Sequence, residues 1–170
     1  YDYTVWNADT DWQDEMFQTG FLTNNTVSIT ASGDRSKFYL GLGYVMEEGS
    51  IKSEKLNKFT VNLHSEHKVT DFLRFGFQVN GVRALYPDAK GVGSALKAAP
   101  IAPVYDAESG LLHTLPDFQR AQVWNPMIEP VLRGAHNKSA NYRMAGNIYG
   151  ELDLMKNLTF KATFSLDYAS

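Results

Sequence analysis

The sequence predicts an all-β chain, an antiparallel meander of about six long strands with one long loop containing a short helix. Three observations lead there. Apolar and polar residues alternate with period two over six separate stretches, the pattern of strands with one apolar and one polar face. Tyrosine and phenylalanine are abundant, at 9 and 10 of 170 residues, beside 13 glycines and interspersed charges, a composition that suits strands better than helices. The connections alternate short and long, as they do when hairpins put turns at one end of a sheet and loops at the other.

Residues 1–23 read as an entry segment. The acidic "DTDWQDE" there invites a paired-carboxylate reading, but a solvated turn or short helix anchored by Trp12 and Phe17 fits better. Residues 24–84 hold four strands. In "NNTVSITASG", Val27, Ile29 and Ala31 alternate with Thr26, Ser28 and Thr30. In "KFYLGLGYVM", Phe38, Leu40, Leu42, Tyr44 and Met46 share a face, and Gly41 and Gly43 fall on the other, where a missing side chain lets another backbone approach. In "KFTVNLHSEHKV", Phe59, Val61 and Leu63 oppose Thr60, Asn62, His64 and Glu66. In "LRFGFQVNGV", Leu73, Phe75, Phe77 and Val79 oppose Arg74, Gln78 and Asn80.

Residues 85–140 form the long loop, and a structureless loop of that length is unusual unless functional. Ser94 is placed to cap a helix over "ALKAA" that Pro100 ends. Tyr86, Tyr105, His113, Phe118 and Trp124 stand in this loop among Asp106, Asp117, Arg120 and Asn125. Aromatic platforms with polar neighbours suit capture of a sugar or peptide, and the open alternative is that these rings form the loop's own small core. Residues 141–170 hold two more strands, with Tyr142, Met144, Ile148, Leu152 and Leu154 opposing Arg143, Asn147, Glu151 and Asp153, and Phe160, Ala162, Phe164, Leu166 and Tyr168 opposing Thr159, Lys161, Thr163, Ser165 and Asp167. "VTDFLRF" and "LMKNLTF" share an apolar residue, three intervening positions and Leu-x-Phe, and read as equivalent tight turns.

Strand length points to what the apolar faces meet. About ten residues at ~3.3 Å each, tilted ~45°, cross roughly 24 Å, close to the apolar band of a membrane barrel. No run of the sequence approaches the ~20 consecutive apolar residues of a membrane helix, and the first residues do not resemble a signal peptide. A net charge of −3 with 21% charged residues implies no broad basic surface, so nucleic acid is not an expected partner. The absence of cysteine excludes disulfides and thiolate metal sites. In "HSEH", His64 and Glu66 share a face while His67 points away, too few ligands for a closed metal site. "GVGS" lacks the Walker lysine spacing. No motif positions a catalytic set, so neither an enzyme nor a cofactor is expected.

The strings "TDWQDEMFQTG", "YLGLGYVMEEGSIK", "KVTDFLRFGFQVN", "ALKAAPIAPVYDAESG" and "GNIYGELDLMKNLTFKATFSLDY" resemble, in order, signatures of SusC/RagA-like TonB-dependent outer-membrane transporters. The resemblance covers roughly Asp9 to Tyr168. It implies an early part of the wall of a 22-stranded transmembrane barrel in the bacterial outer membrane. It also implies import of oligosaccharides or peptides, a SusD-like surface lipoprotein and TonB as partners, and contact with outer-membrane lipid. It assigns no catalytic residue and no cofactor. Neither the plug domain nor the TonB-contacting segment of the whole transporter is recognisable, and six strands are too few to close, so the chain is expected to be a fragment of the barrel. A soluble or secreted β-rich carbohydrate-binding module is the alternative that pattern alone leaves open.

Overall fold

Six strands pair in chain order into one sheet: β1 (Phe21–Ser32), β2 (Ser36–Glu48), β3 (Lys55–Lys68), β4 (Leu73–Pro87), β5 (Lys138–Met155) and β6 (Leu158–Ala169). Two short helices, α1 (Trp12–Met16) and α2 (Val92–Ala95), complete the elements. The computed structural model describes residues 6–87, 92–116, 123–128, 130–131 and 138–170. Two compact units divide the chain. One comprises Tyr1–Leu22, Glu47–Leu56 and Tyr86–Ser139, the other Thr23–Met46, Asn57–Leu85 and Ala140–Ser170.

The second unit is the sheet. Antiparallel register sets Leu63 opposite Val79, Ser65 opposite Phe77 and His67 opposite Phe75, so Phe75, Phe77 and Leu63 emerge together while His64, opposite Gln78, emerges on the reverse side. Between β5 and β6, Ile148 faces Phe164 and Leu152 faces Phe160, whereas Glu151 faces Lys161 and Asn147 faces Ser165. The alternation read in the sequence is thus carried through the ladder as two chemically distinct faces. The strands run further than alternation shows: β1 begins at Phe21 and β5 at Lys138, because backbone pairing continues where the side chains no longer alternate.

Three tight turns lie at one end of this sheet. Gly33 N–H donates to Ser36 O at 2.8 Å, and Lys68 N–H reaches back to Arg35 O at 2.7 Å beside it. Asp153 N–H likewise donates to Phe72 O at 2.8 Å, which sets the β5–β6 turn beside the β3–β4 turn. The two turns that share a sequence pattern are not equivalent. The β3–β4 turn closes with Val69 and Thr70 N–H both on Leu73 O, at 2.9 and 3.2 Å. The β5–β6 turn is the two residues Lys156 and Asn157, with Asn157 at φ 72° and a register shift between Asp153 and Met155. Asparagine tolerates this left-handed conformation. What the two repeats do share is the strand start that follows, Leu73 and Leu158.

Gly41 and Gly43 do lie where a side chain would clash, but the intruders are the sheet's own side chains. The Tyr39 hydroxyl oxygen would lie 2.7 Å from a Cβ at Gly41, and the Thr60 hydroxyl fills the space over Gly43. The expected approach of another backbone is replaced by these two side chains.

The first unit has its own core, in which Trp12, Met16, Ala95, Ala102, Leu115, Val123 and Met127 are buried together. Asp11 caps α1, its carboxylate accepting from Gln13 and Asp14 N–H at 2.9 and 3.2 Å. Trp12 and Met16 are one helical turn apart and point into the core. Phe17, expected as the second anchor, falls off that face and is 43% exposed. Trp12 Nε1–H donates to Ala99 O at 3.0 Å, and Thr10 holds Pro100 O and Ala102 O at 2.8 and 2.7 Å. Ser94 is the third residue of α2 rather than its cap, so the helix both starts and ends earlier than expected over "ALKAA", reaching only Ala95, and the Ser94 carbonyl accepts from Ala98 N–H at 2.9 Å in the turn that follows.

Asn125 ties this unit together. It is 3% exposed, its amide donates to Val104 O and His113 O at 3.1 and 2.8 Å, and its Oδ1 accepts from Met127 N–H at 3.0 Å. Asn125→Ala strands the His113 carbonyl and the Met127 N–H, while Val104 O keeps the His113 N–H, and should cost about 2–4 kcal/mol. Hydrogen exchange should quicken at His113 N–H, while amides in the middle of β3 keep their protection. In the sheet, the Tyr149 ring lies over Gly76 where a Cβ would sit. Gly76→Ala should therefore cost about 1–3 kcal/mol from overpacking, and adding Tyr149→Ala should recover most of it. Additive effects in that double-mutant cycle, read by chemical denaturation, would show that the ring does not cover the glycine.

Candidate functional site

The polar face of the sheet carries a continuous ionic network. Arg74, on β4, donates from Nε to Glu151 and from Nη2 to Asp153, each at 3.2 Å. Lys161, on β6, donates to the other Glu151 oxygen at 2.8 Å and lies 4.4 Å from the Tyr149 ring centroid. The Tyr149 hydroxyl donates to Glu66 at 3.2 Å, and the Thr159 hydroxyl to Asp153 at 2.6 Å. Four strands, β3 to β6, are thereby joined through side chains as well as backbone. Nearer the other end of the strands, Arg143 pairs Asp167 at 2.8 Å. Such a face demands water or polar partners.

The opposite face is apolar and uncovered. Met144, Ile148, Phe160, Phe164 and Leu166 are between 52% and 67% exposed. Soluble monomers rarely leave a contiguous apolar surface of this extent open. Its ends differ in character. Toward the tight turns it carries Phe75, Leu158 and Phe160. Toward the long connection it carries tyrosines: Tyr44, whose hydroxyl donates to Asn57 at 3.0 Å, Tyr142, with the Arg83 guanidinium 5.6 Å from its centroid, and Tyr168, opposite Met144. Rings with a polar tip at the edge of an apolar band are what a water–hydrocarbon boundary selects. From Leu158 to Tyr168 is ten steps of ~3.4 Å, or about 26 Å when tilted ~40°.

The aromatic residues singled out in the long loop fall in different places. Tyr86 lines a cleft of about 380 Å³ with Glu47, Ser50, Glu54 and Leu56. Tyr105 and His113 share one short hairpin, in which Tyr105 pairs with Leu112 and His113 N–H donates to Val104 O at 3.0 Å. The His113 ring meets Trp6 edge-on at 5.0 Å, its Nδ1 lies 2.7 Å from Thr114 O, and its Nε2 is 3.9 Å from Asp106 Oδ2. Trp124 is 72% exposed, and Phe118 lies outside the described residues, as do Asp117 and Arg120. The sequence reading missed Arg83 and the Arg74–Glu151 network. Glu151 and Lys161 could have been paired from their equal spacing about Lys156, but Arg83 meets Tyr142 only through pairing across the long loop.

Among the described residues no group of three or more histidine, aspartate or glutamate side chains is arranged to hold a metal ion. No described helix is long and apolar enough to cross a membrane, which says nothing of strands. The two-faced meander defines a stretch of β-barrel wall, and the comparisons agree with that class. No protein-family model matches the chain. TonB-dependent receptor P3 of Formosa agariphila is 27% identical over 175 residues, covering 95% of this chain and 17% of the receptor. TonB-dependent receptor SusC of Bacteroides thetaiotaomicron is 30% identical over 105 residues, covering 59% of this chain and 10% of SusC. A structure of the RagAB peptide transporter superposes on 96% of this chain and 19% of its own with a TM-score of 0.72 at 18% identity. A second, of the RagAB peptide importer in the open-open state, gives a TM-score of 0.73 over 98% of this chain. The chain is a relative of TonB-dependent receptors, SusC among them, and has the fold of a stretch of RagAB. It spans 17% of the length of the first of these relatives.

The hairpin that holds Tyr105 and His113 has a defined acid response. Asp106 accepts from Ser109 N–H at 2.7 Å, from the Ser109 hydroxyl at 2.8 Å and from Glu108 N–H at 3.2 Å. The Ser109 N–H bond, then the Ser109 hydroxyl, hold its carboxyl below the usual aspartate value. A depressed folded pKa gives stability that is fully present above the unfolded pKa and is lost as pH falls through the folded one. Protection of Ser109 and Gly110 N–H, measured against the intrinsic exchange rate at each pH, should therefore hold at neutral pH and fall below about pH 4. Asp106→Asn should remove that dependence, and an unchanged acid limb in the variant would assign it elsewhere.

Proposed function

We propose that this chain is part of the wall of a 22-stranded TonB-dependent transporter barrel in the bacterial outer membrane. The observation that carries the reading is the division of one sheet into an exposed apolar face and a charged face. The apolar face meets lipid, with the tyrosine-bearing edge and the long connection on the outer side and the tight turns on the periplasmic side, following the short-turn, long-loop asymmetry of such barrels. The charged face lines the lumen. The whole protein imports an oligosaccharide or a peptide, drawing energy through TonB and working with a SusD-like surface lipoprotein. SusC among the sequence relatives and RagAB among the fold relatives support this reading.

Within it, Tyr86, Tyr105, His113, Phe118 and Trp124 serve substrate capture on the outer side. Tyr86 has the best local support, an exposed ring over a cleft with carboxylates at Glu47 and Glu54. A flat ring beside hydrogen-bond acceptors suits a hydroxyl-rich or amine-bearing ligand.

The test is a pair of charges on one strand. Phe164 and Ser165 are neighbours on opposite faces, since Phe164 lies opposite Ile148 and Ser165 opposite Asn147. Phe164→Arg in the full-length protein should cost roughly 2–4 kcal/mol if its face meets mid-bilayer, and should lower outer-membrane abundance. Ser165→Arg should leave abundance near wild type. Equal effects of the two substitutions would overturn the lipid-facing assignment.

A further inference from the structure

Among the described residues, Arg83 is a charge on the apolar face that no carboxylate answers. Arg83 lies opposite Phe59 in the β3–β4 ladder, and so shares the face of Val61 and Leu63. Its guanidinium sits over the Tyr142 ring at 5.6 Å, and among the described residues it forms no hydrogen bond or ion pair. The cation–π contact leaves the N–H donors of the guanidinium available to an anion. Two residues nearer the tight turns, Gly81 lies opposite Val61. With no side chain there, the surface opens into a groove of about 560 Å³ whose lining includes Phe59, Val61, Gly81, Arg83, Met144 and Tyr168.

This arrangement has a polarity. The trough lies on the side of the apolar band, and the cation lies on the side of the tyrosines, where a boundary with headgroups is expected. The cost of an arginine on a barrel's outer face falls as it nears that boundary, and a planar guanidinium binds phosphate oxygens in bidentate fashion. We propose that the groove over Gly81 is a lipid-binding site, taking an acyl chain in the trough and the phosphate of that lipid's headgroup on Arg83. The inference rests on the reading that this face meets lipid, and it adds a specific, phosphate-dependent site to that general contact.

The occupant is identified by three probes added to the full-length protein in detergent micelles: phosphatidic acid, diacylglycerol with the same chains, and inorganic phosphate. Phosphatidic acid should bind at least about tenfold more tightly than diacylglycerol, the scale of one charge-assisted contact, with inorganic phosphate weaker still. Arg83→Gln should bring phosphatidic acid down to the level of diacylglycerol. A Cβ at Gly81 would meet only Val61 Cβ, at 4.0 Å, so Gly81→Leu fills the trough without a backbone clash and should weaken both lipids. Inorganic phosphate binding as tightly as phosphatidic acid would overturn the lipid as source, and unchanged phosphatidic acid binding by Arg83→Gln would overturn the headgroup contact. A fluorophore on Phe164→Cys, read against lipids brominated on their chains, separates this site from the wider reading. Quenching there with no phosphate preference removes only the Arg83 site, whereas no quenching removes both.

Discussion

The fold depends on the ladder between β4 and β5. Every other strand pair is joined by a short connection and could form locally, but β4 ends at Pro87 and β5 begins at Lys138. Closing a loop of that length carries an entropic cost before any contact rewards it. Side chains bond across the seam as well as backbone. Arg74 reaches from β4 to Glu151 and Asp153 on β5, Tyr149 covers Gly76, and a Cβ at Gly146 would lie 3.2 Å from Gln78 O. Glycines on both strands let the backbones and a ring come close, while the arginine fixes the register. A shift of one residue would turn Arg74 to the apolar face and Phe75 to the charged one.

The loop unit lessens the cost of that long closure. Its core gathers Trp12 from before the sheet, Ala95 and Ala102 from the start of the loop, and Val123 and Met127 from its later part. Ile51, from the β2–β3 connection, packs against the same core. A 50-residue excursion organised around its own apolar cluster is a small folding unit rather than a free tether, and Asn125 supplies the polar ties that an apolar cluster cannot.

The sequence made the sheet legible because period-two alternation survives wherever one face is apolar. Val27, Phe59, Phe75 and Phe164 needed no tertiary information to be placed on strands. The charged partners of those strands were legible as a polar face, but their pairing was not, since Arg74 and Glu151 are 77 positions apart and meet only through the seam. Helix α1 was readable from Asp11 and the acidic first turn, yet its second anchor was misread as Phe17 because burial follows the i, i+4 spacing to Met16. The glycines of β2 showed that something comes close, though not that Tyr39 and Thr60 would be what fills the space. Least legible was the loop, where the rings at Tyr86, Tyr105 and Trp124 obey no period.

Among the described residues, Ser65 and Tyr44 on the apolar face each bring a polar partner, and Arg83 brings none that accepts a hydrogen bond. Ser65 lies between apolar neighbours and is 2% exposed, and its hydroxyl sits 2.8 Å from His67 Nε2 and 3.4 Å from Lys37 O. With the histidine proton on Nε2, Ser65 accepts from the ring and donates to the carbonyl, so neither group is stranded. Tyr44 and Asn57 satisfy one another in the same way. These pairs make the face tolerable to hydrocarbon, because a polar atom that brings its own partner has little to lose by leaving water. Among the described residues Arg83 brings only the Tyr142 ring, which stabilises a cation but accepts none of its hydrogen bonds in the usual sense. A charge so placed draws its remaining partners from whatever lies against the face. On the reading proposed above, in which this edge meets a bilayer, those would be the anionic oxygens of headgroups, and the open groove beside Arg83 would give the attached chain somewhere to lie.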